Sequence, residues 1–275
     1  MIKRAYAKIN LGLKVVGKRN DNYHDLEMVM VKINLFDTLL FKLDKDIKVY
    51  CEEVEEKDNL VYKIACFLKE KYKPNYGIKI IINKRIPIMA GLGGGSSDAA
   101  TTLTVLNKLW KLNLNCEELI KISLNFGSDI PFFIINKTSF ISGRGENISP
   151  INAKKRIPLL LIKPNVGFST KDIFSNVSTF SRKNELIELI KSLENNDILN
   201  ISNNLVNDLE KALDSNNKKL INDIKNDLIS YGAQGALMSG SGSSVFAIFD
   251  NKLARNKAYR ELKLFYDVYK AEIIK

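Results

Sequence analysis

Apolar and polar residues alternate along the first part of the chain. From Ala5 to Val15 every second residue is apolar, a period of two that predicts a half-buried β-strand over residues 2–16. The same alternation places Lys8 and Asn10 together on the opposite face of this strand. Other short apolar runs predict further strands at residues 26–35, 37–43, 47–51, 77–85, 132–135, 138–142, 146–149, 157–163, 236–238, 245–249 and 268–273, with 37–43 as the hairpin partner of 26–35.

Other stretches repeat their apolar residues at helical spacing. They predict helices after Asn59, over 97–112, and over 116–126 with Gly127 as its end, and further helices at 169–174, 185–193, 205–213, 218–230 and 251–264. Strands and helices mix without a repeated βαβ rhythm, so the sequence predicts an α+β fold. A polar stretch around Lys154 and Lys155 separates two apolar strands and predicts two domains, 1–155 and 156–275.

Composition places the chain among soluble globular proteins. It has 275 residues, 45% hydrophobic and 27% charged. No apolar run approaches the roughly 18 residues of a membrane span, and the first residues lack the apolar segment of a signal peptide, so we expect a cytoplasmic protein without a membrane partner. Three widely spaced cysteines and one histidine make a zinc site improbable.

The formal charge of +11 raises the alternative of a nucleic-acid-binding module. However, the lysines are scattered, and the tightest clusters, at 154–156 and 218–219, lack interleaved aromatic residues. We therefore expect a solvated basic surface that attracts polyanionic small molecules, and no nucleic-acid partner.

The most informative stretch, residues 87–100, reads Pro-Ile-Met-Ala-Gly-Leu-Gly-Gly-Gly-Ser-Ser-Asp-Ala-Ala between a predicted strand and a predicted helix. Its glycines let the backbone approach a ligand, and the helix start attracts an anion. The hydroxyls of Ser96 and Ser97 suit phosphate oxygens or Mg²⁺, and both residues are also candidate helix caps. A flexible turn with a serine cap is the alternative. The dinucleotide fingerprint fails at Ser96, and the nearest Walker A pattern fails at Arg19.

Phosphoryl transfer also needs a group that takes the proton of the acceptor hydroxyl. Asp129, in an otherwise apolar setting, is the candidate base, and a turn or capping Asp is the alternative. Lys8 is suited to keep such a carboxylate ionised, although a lone strand lysine is usually solvated. On spacing alone, His24 is expected to be a structural hydrogen-bonding residue.

Three separated stretches, 7–11, 87–97 and 238–247, resemble the motifs of the GHMP kinases (galactokinase, homoserine, mevalonate and phosphomevalonate kinases). Other stretches are similar, in the same order along the chain, to the branch of this family whose acceptor carries a cytidine diphosphate. They are 7–13, 23–24, 58–60, 84–87, 91–97, 127–132 and 143–146. An acceptor such as homoserine or mevalonate remains the alternative within the family, but it has no base to stack on Tyr23 and Phe174.

The resemblance implies a two-lobed GHMP kinase fold, with an N-terminal lobe like a domain of a ribosomal protein, a ferredoxin-like C-terminal lobe and the active site in the cleft. It implies ATP and Mg²⁺ as cofactors, Asp129 as general base with Lys8 as its partner, and Ser97 as a candidate metal ligand. It implies ATP binding by Asn59, Lys84, Pro87, Ile88, Met89, Ala90, Gly91, Leu92, Gly93, Gly94, Gly95, Ser96 and Ser97. It implies acceptor binding by Asn10, Tyr23, His24, Thr170 and Phe174. Either a monomer or a homodimer is compatible with it.

Overall fold

The computed structural model describes residues 1–21, 23–153 and 156–274. The described strands are β1 (Ile2–Lys18), β2 (His24–Asp44), β3 (Ile47–Tyr50), β4 (Gly77–Asn83), β5 (Ser139–Gly143), β6 (Asn147–Pro150), β7 (Pro158–Lys163), β8 (Val206–Asn207), β9 (Gly235–Met238), β10 (Val245–Ile248) and β11 (Asp267–Ile274). The helices are α1 (Leu60–Tyr72), α2 (Gly94–Leu109), α3 (Cys116–Ser123), α4 (Ile130–Ile135), α5 (Thr170–Ser175), α6 (Ile187–Asn195), α7 (Ile198–Asn203), α8 (Ser215–Ser230) and α9 (Lys252–Leu262). Two 3₁₀ helices lie at Glu56–Asp58 and Asp208–Ala212. The mixture of strands and helices agrees with the predicted α+β class.

The chain forms two compact units, each assembled from several segments. The first unit comprises Met1–Ala7, Leu35–Ile86 and Gly93–Asn136. In it the second half of β2 runs antiparallel to β4, and β3 runs parallel to β4. Helices α1 to α4 cover the inner face of these strands, and the apolar side chains of both layers form one buried core. This unit holds strand β4, helix α2 and the end of the glycine loop from Gly93 onwards, whereas residues 87–92 of that loop belong to the second unit.

The second unit comprises Lys8–Asn34, Pro87–Leu92 and Lys137–Lys275. Its strands follow the order β2, β11, β7, β10, β9, and β11, β7, β10 and β9 are antiparallel neighbours. Helix α8 packs on β9 and β10, while α9 packs on β7 and β11. Strands β7, β9 and β10 are almost entirely apolar, and Leu159 and Phe246, for example, are fully buried.

Three predicted elements are wrong. The hairpin at residues 26–43 is a single long strand, β2, in which Asp37 points inward. The apolar strand at 132–135 is helix α4, with Pro131 in its first turn, where a missing N–H costs nothing. The helix at 205–213 is β8 followed by a 3₁₀ helix. Short apolar runs do not separate strands from helices by periodicity alone.

Most other elements lie within a few residues of their predicted bounds, with two differences that bear on function. Helix α2 begins at Gly94 rather than Ser97, with Gly93 as its N-cap, so neither Ser96 nor Ser97 caps it. Helix α3 ends at Ser123 with Leu124 as C-cap, so Gly127 does not end it. The predicted boundary between residues 155 and 156 falls beside Lys154 and Lys155, which lie outside the described residues, and it stays a prediction. Among the described residues, no helix is both long and apolar enough to cross a membrane.

Candidate active site

Helix α2 begins inside the glycine-rich stretch, where the sequence predicts that an anion binds. Gly93 has φ of 68°, a left-handed conformation, and Gly94 to Ser97 then form the first turn. The first backbone N–H groups of a helix have no intrahelical acceptor, and they carry the positive end of the helix dipole. A Cβ on Gly94 would lie 3.0 Å from Ile86 Cγ2 and 3.3 Å from Lys84 Nζ. The backbone therefore packs tightly on the segment before it, with a lysine ammonium beneath the turn.

Lys84 belongs to a buried ion cluster in the first unit. Its ammonium donates to Asp37 Oδ2 at 2.5 Å and to Asp98 Oδ2 at 2.8 Å. Asp37 Oδ1 also accepts the backbone N–H groups of Arg85 at 2.6 Å and Ile86 at 2.8 Å, which explains its inward position in β2. The cluster ties β2, the segment after β4 and the first turn of α2 together directly under the glycine loop.

The environment of the cluster raises the pKa values of Asp98 and Lys84. Burial raises the pKa of Asp98 from 3.8 to about 7, although the charge of Lys84 opposes this change. Burial alone would lower the pKa of Lys84, but the charges and hydrogen bonds of Asp98 and Asp37 outweigh it, so that pKa lies above its ordinary value. Asp98 Oδ1 has no hydrogen-bond partner among the described residues. The ammonium is thus held charged between two carboxyl groups.

Replacing Lys84 by Met is expected to lower the free energy of unfolding by about 3 kcal/mol, because it leaves two buried carboxyl groups without their cation. Separately from the substitution, the wild type itself should lose stability between about pH 4 and pH 7. The folded-state pKa of Asp98 lies above its unfolded value of 3.8, so the folded chain keeps a proton that the unfolded chain releases, and stability falls as pH rises. Urea unfolding at several pH values measures this. Lys42→Met, at an exposed position of β2, is the matched control and should change stability by less than about 0.5 kcal/mol. Equal stability of the two variants would contradict the prediction.

Asn59 and Asp129 are both N-cap residues, but they differ in whether the side chain makes a capping hydrogen bond to the helix. Asn59 is the N-cap of α1, and its side-chain oxygen accepts the backbone N–H of Val61 at 3.0 Å. Asp129 is the N-cap residue of α4, but its side chain accepts no capping hydrogen bond from that helix. Two residues earlier, a Cβ on Gly127 would lie 3.9 Å from Ser96 Oγ. Within the first unit, the turn that carries Asp129 therefore lies beside the first turn of α2.

In the second unit, residues 239–244 form a glycine-serine loop that packs against residues 87–92, the first part of the glycine-rich stretch. Gly91 has φ of 70°, and its carbonyl oxygen accepts the hydroxyl of Ser239 at 3.0 Å. A Cβ on Gly91 would lie 2.0 Å from the carbonyl oxygen of Ser239. The side chain of Asn207 supports the loop from below, because it donates to the carbonyl oxygens of Met238 at 2.9 Å and Gly240 at 2.8 Å. Sequence reasoning singled out this loop but missed Asn207, for which the chain offers no local signal.

Lys8 and Asn10 share a face of β1, as the alternation predicted. Lys8 Nζ donates to Asn10 Oδ1 at 2.7 Å, and the two side chains are 4% and 0% exposed, so Lys8 is not a solvated strand lysine. A Cβ on Gly240 would lie 3.3 Å from both of these polar atoms. Asn10 Nδ2 has no hydrogen-bond partner among the described residues. A buried amide donor without a partner is unfavourable unless a ligand accepts from it.

The predicted acceptor-binding residues His24 and Phe174 lie together in the second unit. Their rings stack with centroids 5.3 Å apart and planes 29° apart, and Tyr23 beside them is half exposed. Burial, and to a lesser degree the charge of Lys18, lowers the pKa of His24, so the imidazole is neutral at pH 7. Thr170, at the start of α5, is hydrogen-bonded to Ser241 of the glycine-serine loop at 2.8 Å between hydroxyl oxygens.

Phe180 is an aromatic residue that sequence reasoning missed. Its ring lies 6.4 Å from that of His24, and it is half exposed. It belongs to the stretch 178–204, which resembles the family least, so no motif pointed to it. The second unit thus holds a group of exposed and partly exposed aromatic rings of the kind that stacks on a flat heterocycle.

No group of three His, Cys, Asp or Glu side chains among the described residues is arranged to hold a metal ion. Ser97, the candidate metal ligand, is buried in the first turn of α2, and its backbone N–H donates to the carbonyl oxygen of Gly93 at 2.9 Å. Magnesium in kinases is bound mostly by substrate phosphates, with few protein ligands. A single hydroxyl at the phosphate-binding turn fits that pattern, so the role of Ser97 stays a prediction.

Residues 59–137 match the family described as GHMP kinases N terminal domain, and residues 186–268 match GHMP kinases C terminal. The chain is 40% identical over 268 residues to the curated 4-diphosphocytidyl-2-C-methyl-D-erythritol kinase of Thermoanaerobacter pseudethanolicus, covering 96% of this chain and 92% of that one. It is 40% identical over 272 residues to the enzyme of the same name from Clostridium botulinum, covering 97% of each chain. A crystal structure of 4-(cytidine 5'-diphospho)-2C-methyl-D-erythritol kinase superposes with a TM-score of 0.88 at 27% identity over 100% of both chains.

Proposed function

The chain belongs to the GHMP kinase family, and from this premise we propose that it transfers the γ-phosphoryl group of ATP to the 2-hydroxyl of 4-diphosphocytidyl-2-C-methyl-D-erythritol, in isoprenoid precursor biosynthesis. The observation that carries the proposal is 40% identity, over nearly the whole length of both chains, to curated kinases named for that substrate. The two family matches lie on either side of residues 155 and 156, and we keep the division into domains 1–155 and 156–275 as part of the proposal.

The glycine-rich stretch is the proposed ATP-binding element. Its first-turn amides in α2 suit the phosphates, because helix N-termini bind anions through N–H groups and the helix dipole. Residues 87–92 would complete the cradle, and Asn59 and Lys84 would lie toward the adenine. Bound Mg²⁺ would neutralise phosphate charge, with Ser97 as its protein ligand. The support is the tight packing of Gly94 over Ile86 and Lys84, which places a lysine ammonium beside the first turn of α2.

Asp129 is the proposed general base, with Lys8 as its partner. The 2-hydroxyl oxygen forms a bond to the γ-phosphorus of ATP, the bond to the β-γ bridging oxygen breaks, and the hydroxyl proton passes to the Asp129 carboxylate. The support is that the turn that carries Asp129 lies beside Ser96, in the first turn of α2. Lys8 is buried and its ammonium donates to Asn10, and in the proposal its positive charge stabilises the transferring group.

The acceptor would lie against Asn10, Tyr23, His24, Thr170 and Phe174. A cytosine ring is flat and aromatic, and it gains from stacking on Tyr23 and Phe174 in a way that homoserine or mevalonate does not. The unpartnered amide of Asn10 supports the proposal, because a diphosphate or hydroxyl oxygen would satisfy it. The charge of +11 suits two polyphosphate ligands. We extend the proposal to a cytoplasmic monomer or homodimer without a nucleic-acid or membrane partner.

The test is ADP release from ATP and Mg²⁺ with three acceptors in parallel, the cytidine-diphospho compound, homoserine and mevalonate, and with no acceptor as background. We expect turnover with the cytidine compound alone, because it alone carries the base. His24→Ala should raise KM for that compound by about fivefold and leave KM for ATP unchanged, since a lost stacking pair is worth about 1 kcal/mol. Turnover with homoserine or mevalonate instead would overturn the substrate assignment and leave the family membership intact.

A further inference from the structure

One face of the Tyr23 ring is covered by an arginine. The central guanidinium carbon of Arg144 lies 3.6 Å from the centroid of the ring, within ordinary stacking distance, while Tyr23 is 50% exposed. An arginine guanidinium is planar and stacks on an aromatic face, where it also gains from the ring quadrupole. Arg144 blocks ligands from the covered face of the Tyr23 ring, so the solvent-exposed face is the opposite one.

Both members of the pair are fixed by the same carboxylate. Asp21 Oδ1 accepts the backbone N–H of Tyr23 at 3.1 Å, and Asp21 Oδ2 lies 3.6 Å from Arg144 Nη1. Arg19 holds Asp21 in turn, through Nε at 3.3 Å, and its backbone N–H donates to the carbonyl oxygen of Tyr23 at 2.8 Å. Ring and guanidinium therefore cannot move apart without breaking several of these contacts together.

The backbone of Arg144 is anchored from the other side. Its N–H donates to Glu146 Oε2 at 2.5 Å, within the turn between β5 and β6. β5 pairs with β2, so the turn is attached to the strand that follows Tyr23. The resemblance to the family does not assign Arg144 to acceptor binding.

We infer that Arg144 is a positioning residue for a pyrimidine nucleoside diphosphate, acting through Tyr23. It holds the ring in one orientation and leaves a single face for the base, so that the side chain does not lose rotational freedom when the ligand binds. The inference rests on the proposed function. Its substance is that Arg144 affects cytidine binding through the ring, rather than by contacting the diphosphate itself.

A double-mutant cycle separates these two routes. We would measure the dissociation constant of CDP by calorimetry for the wild type, Arg144→Met, Tyr23→Ala and the double variant. Arg144→Met should weaken CDP binding by about tenfold, as the loss of a partly exposed cation–π pair implies. The double variant should bind CDP no more weakly than Tyr23→Ala alone, because Arg144 has nothing left to position. If the two effects multiply, Arg144 contacts the ligand directly and the inference is wrong.

Steady-state kinetics adds a second readout. Arg144→Met should raise KM for the cytidine compound about tenfold, with kcat within about twofold and KM for ATP unchanged, which a merely folding-related defect would not produce. Arg4→Met is the matched control. The central guanidinium carbon of Arg4 lies 4.6 Å from the centroid of the Phe36 ring, so this substitution removes the same kind of cation–π pair elsewhere in the chain. It should leave CDP binding unchanged. If the wild type binds CDP and Arg144→Met binds it equally, the inference alone fails. If the wild type does not bind CDP, the proposed function fails and takes the inference with it.

Discussion

Replacing Asp129 by Asn is expected to lower kcat by about 10²–10⁴-fold while leaving ATP binding largely intact. The amide has nearly the shape of the carboxyl group, so α4 can begin as before, but it cannot take the proton of the acceptor hydroxyl. Since the Asp129 side chain makes no capping hydrogen bond to α4, the substitution removes no helix cap. The measurement is ADP release with the cytidine compound, together with a dissociation constant for a non-hydrolysable ATP analogue.

Asp197→Asn is the matched control for this prediction. Asp197 is the N-cap of α7 and does cap it, since its side chain accepts the backbone N–H of Asn200 at 3.0 Å. Asn caps helices about as well as Asp, so this variant should keep both kcat and stability. Near-normal kcat in Asp129→Asn, with the control also normal, would mean that another group accepts the proton. Loss of ATP binding in Asp129→Asn would indicate a structural role instead.

The sequence predicted those parts of the fold in which local pattern and tertiary environment agree. The alternation around Lys8 and Asn10 placed both on one face of a strand, and the 2.7 Å hydrogen bond between them confirms it. It did not predict that both would be buried. That burial depends on the glycine-serine loop of residues 239–244, which is far away in the sequence, and whose Gly240 lies against both side chains.

The errors share one physical cause, a partner distant in sequence. The predicted hairpin had a second strand starting at Asp37, yet in β2 the Asp37 carboxylate accepts the N–H groups of Arg85 and Ile86 and the ammonium of Lys84. A buried acceptor with three donors is stable within a strand, and nothing near Asp37 in the chain reveals those donors. Similarly, the sequence did not predict that Arg144 stacks on Tyr23, because Tyr23 is distant from it in the chain.

Helix α4 shows the limit of apolar patterning in the candidate site. Four consecutive apolar residues, 132–135, fit a buried strand as well as a buried helix. Pro131 in the first turn and packing against α2 and α3 decide for the helix. The choice matters for function, since Asp129 becomes the N-cap residue of a helix rather than a residue that precedes a strand. The prediction that Asp129 precedes an apolar element survives the error in the type of element.

Replacing Gly91 by Ala is expected to cause the largest loss of stability among single substitutions in the glycine-rich stretch. With φ of 70° the backbone is in the left-handed region, where a side chain costs about 1–2 kcal/mol. In addition, the new Cβ would lie 2.0 Å from the Ser239 carbonyl oxygen and 3.0 Å from that of Gly242. Both are backbone atoms, so relief requires the two loops to separate. We expect the free energy of unfolding, measured in urea, to fall by about 3 kcal/mol or more, and KM for ATP to rise at least about tenfold in the folded fraction.

Gly232→Ala isolates the steric part of this effect. Gly232 has φ of 90°, so alanine meets a similar backbone penalty there, but no atom of the described residues lies within 4 Å of its Cβ position. It should therefore lose about 1–2 kcal/mol and keep KM for ATP. The difference between the two variants in the free energy of unfolding measures how strongly the glycine-serine loop holds residues 90–91 in place. If that difference is near zero, the loops separate at little cost, and the contact does not shape the ATP-binding stretch. If it is large, the C-terminal loop is part of what gives residues 87–92 their conformation, although only the N-terminal segment carries the phosphate-binding motif.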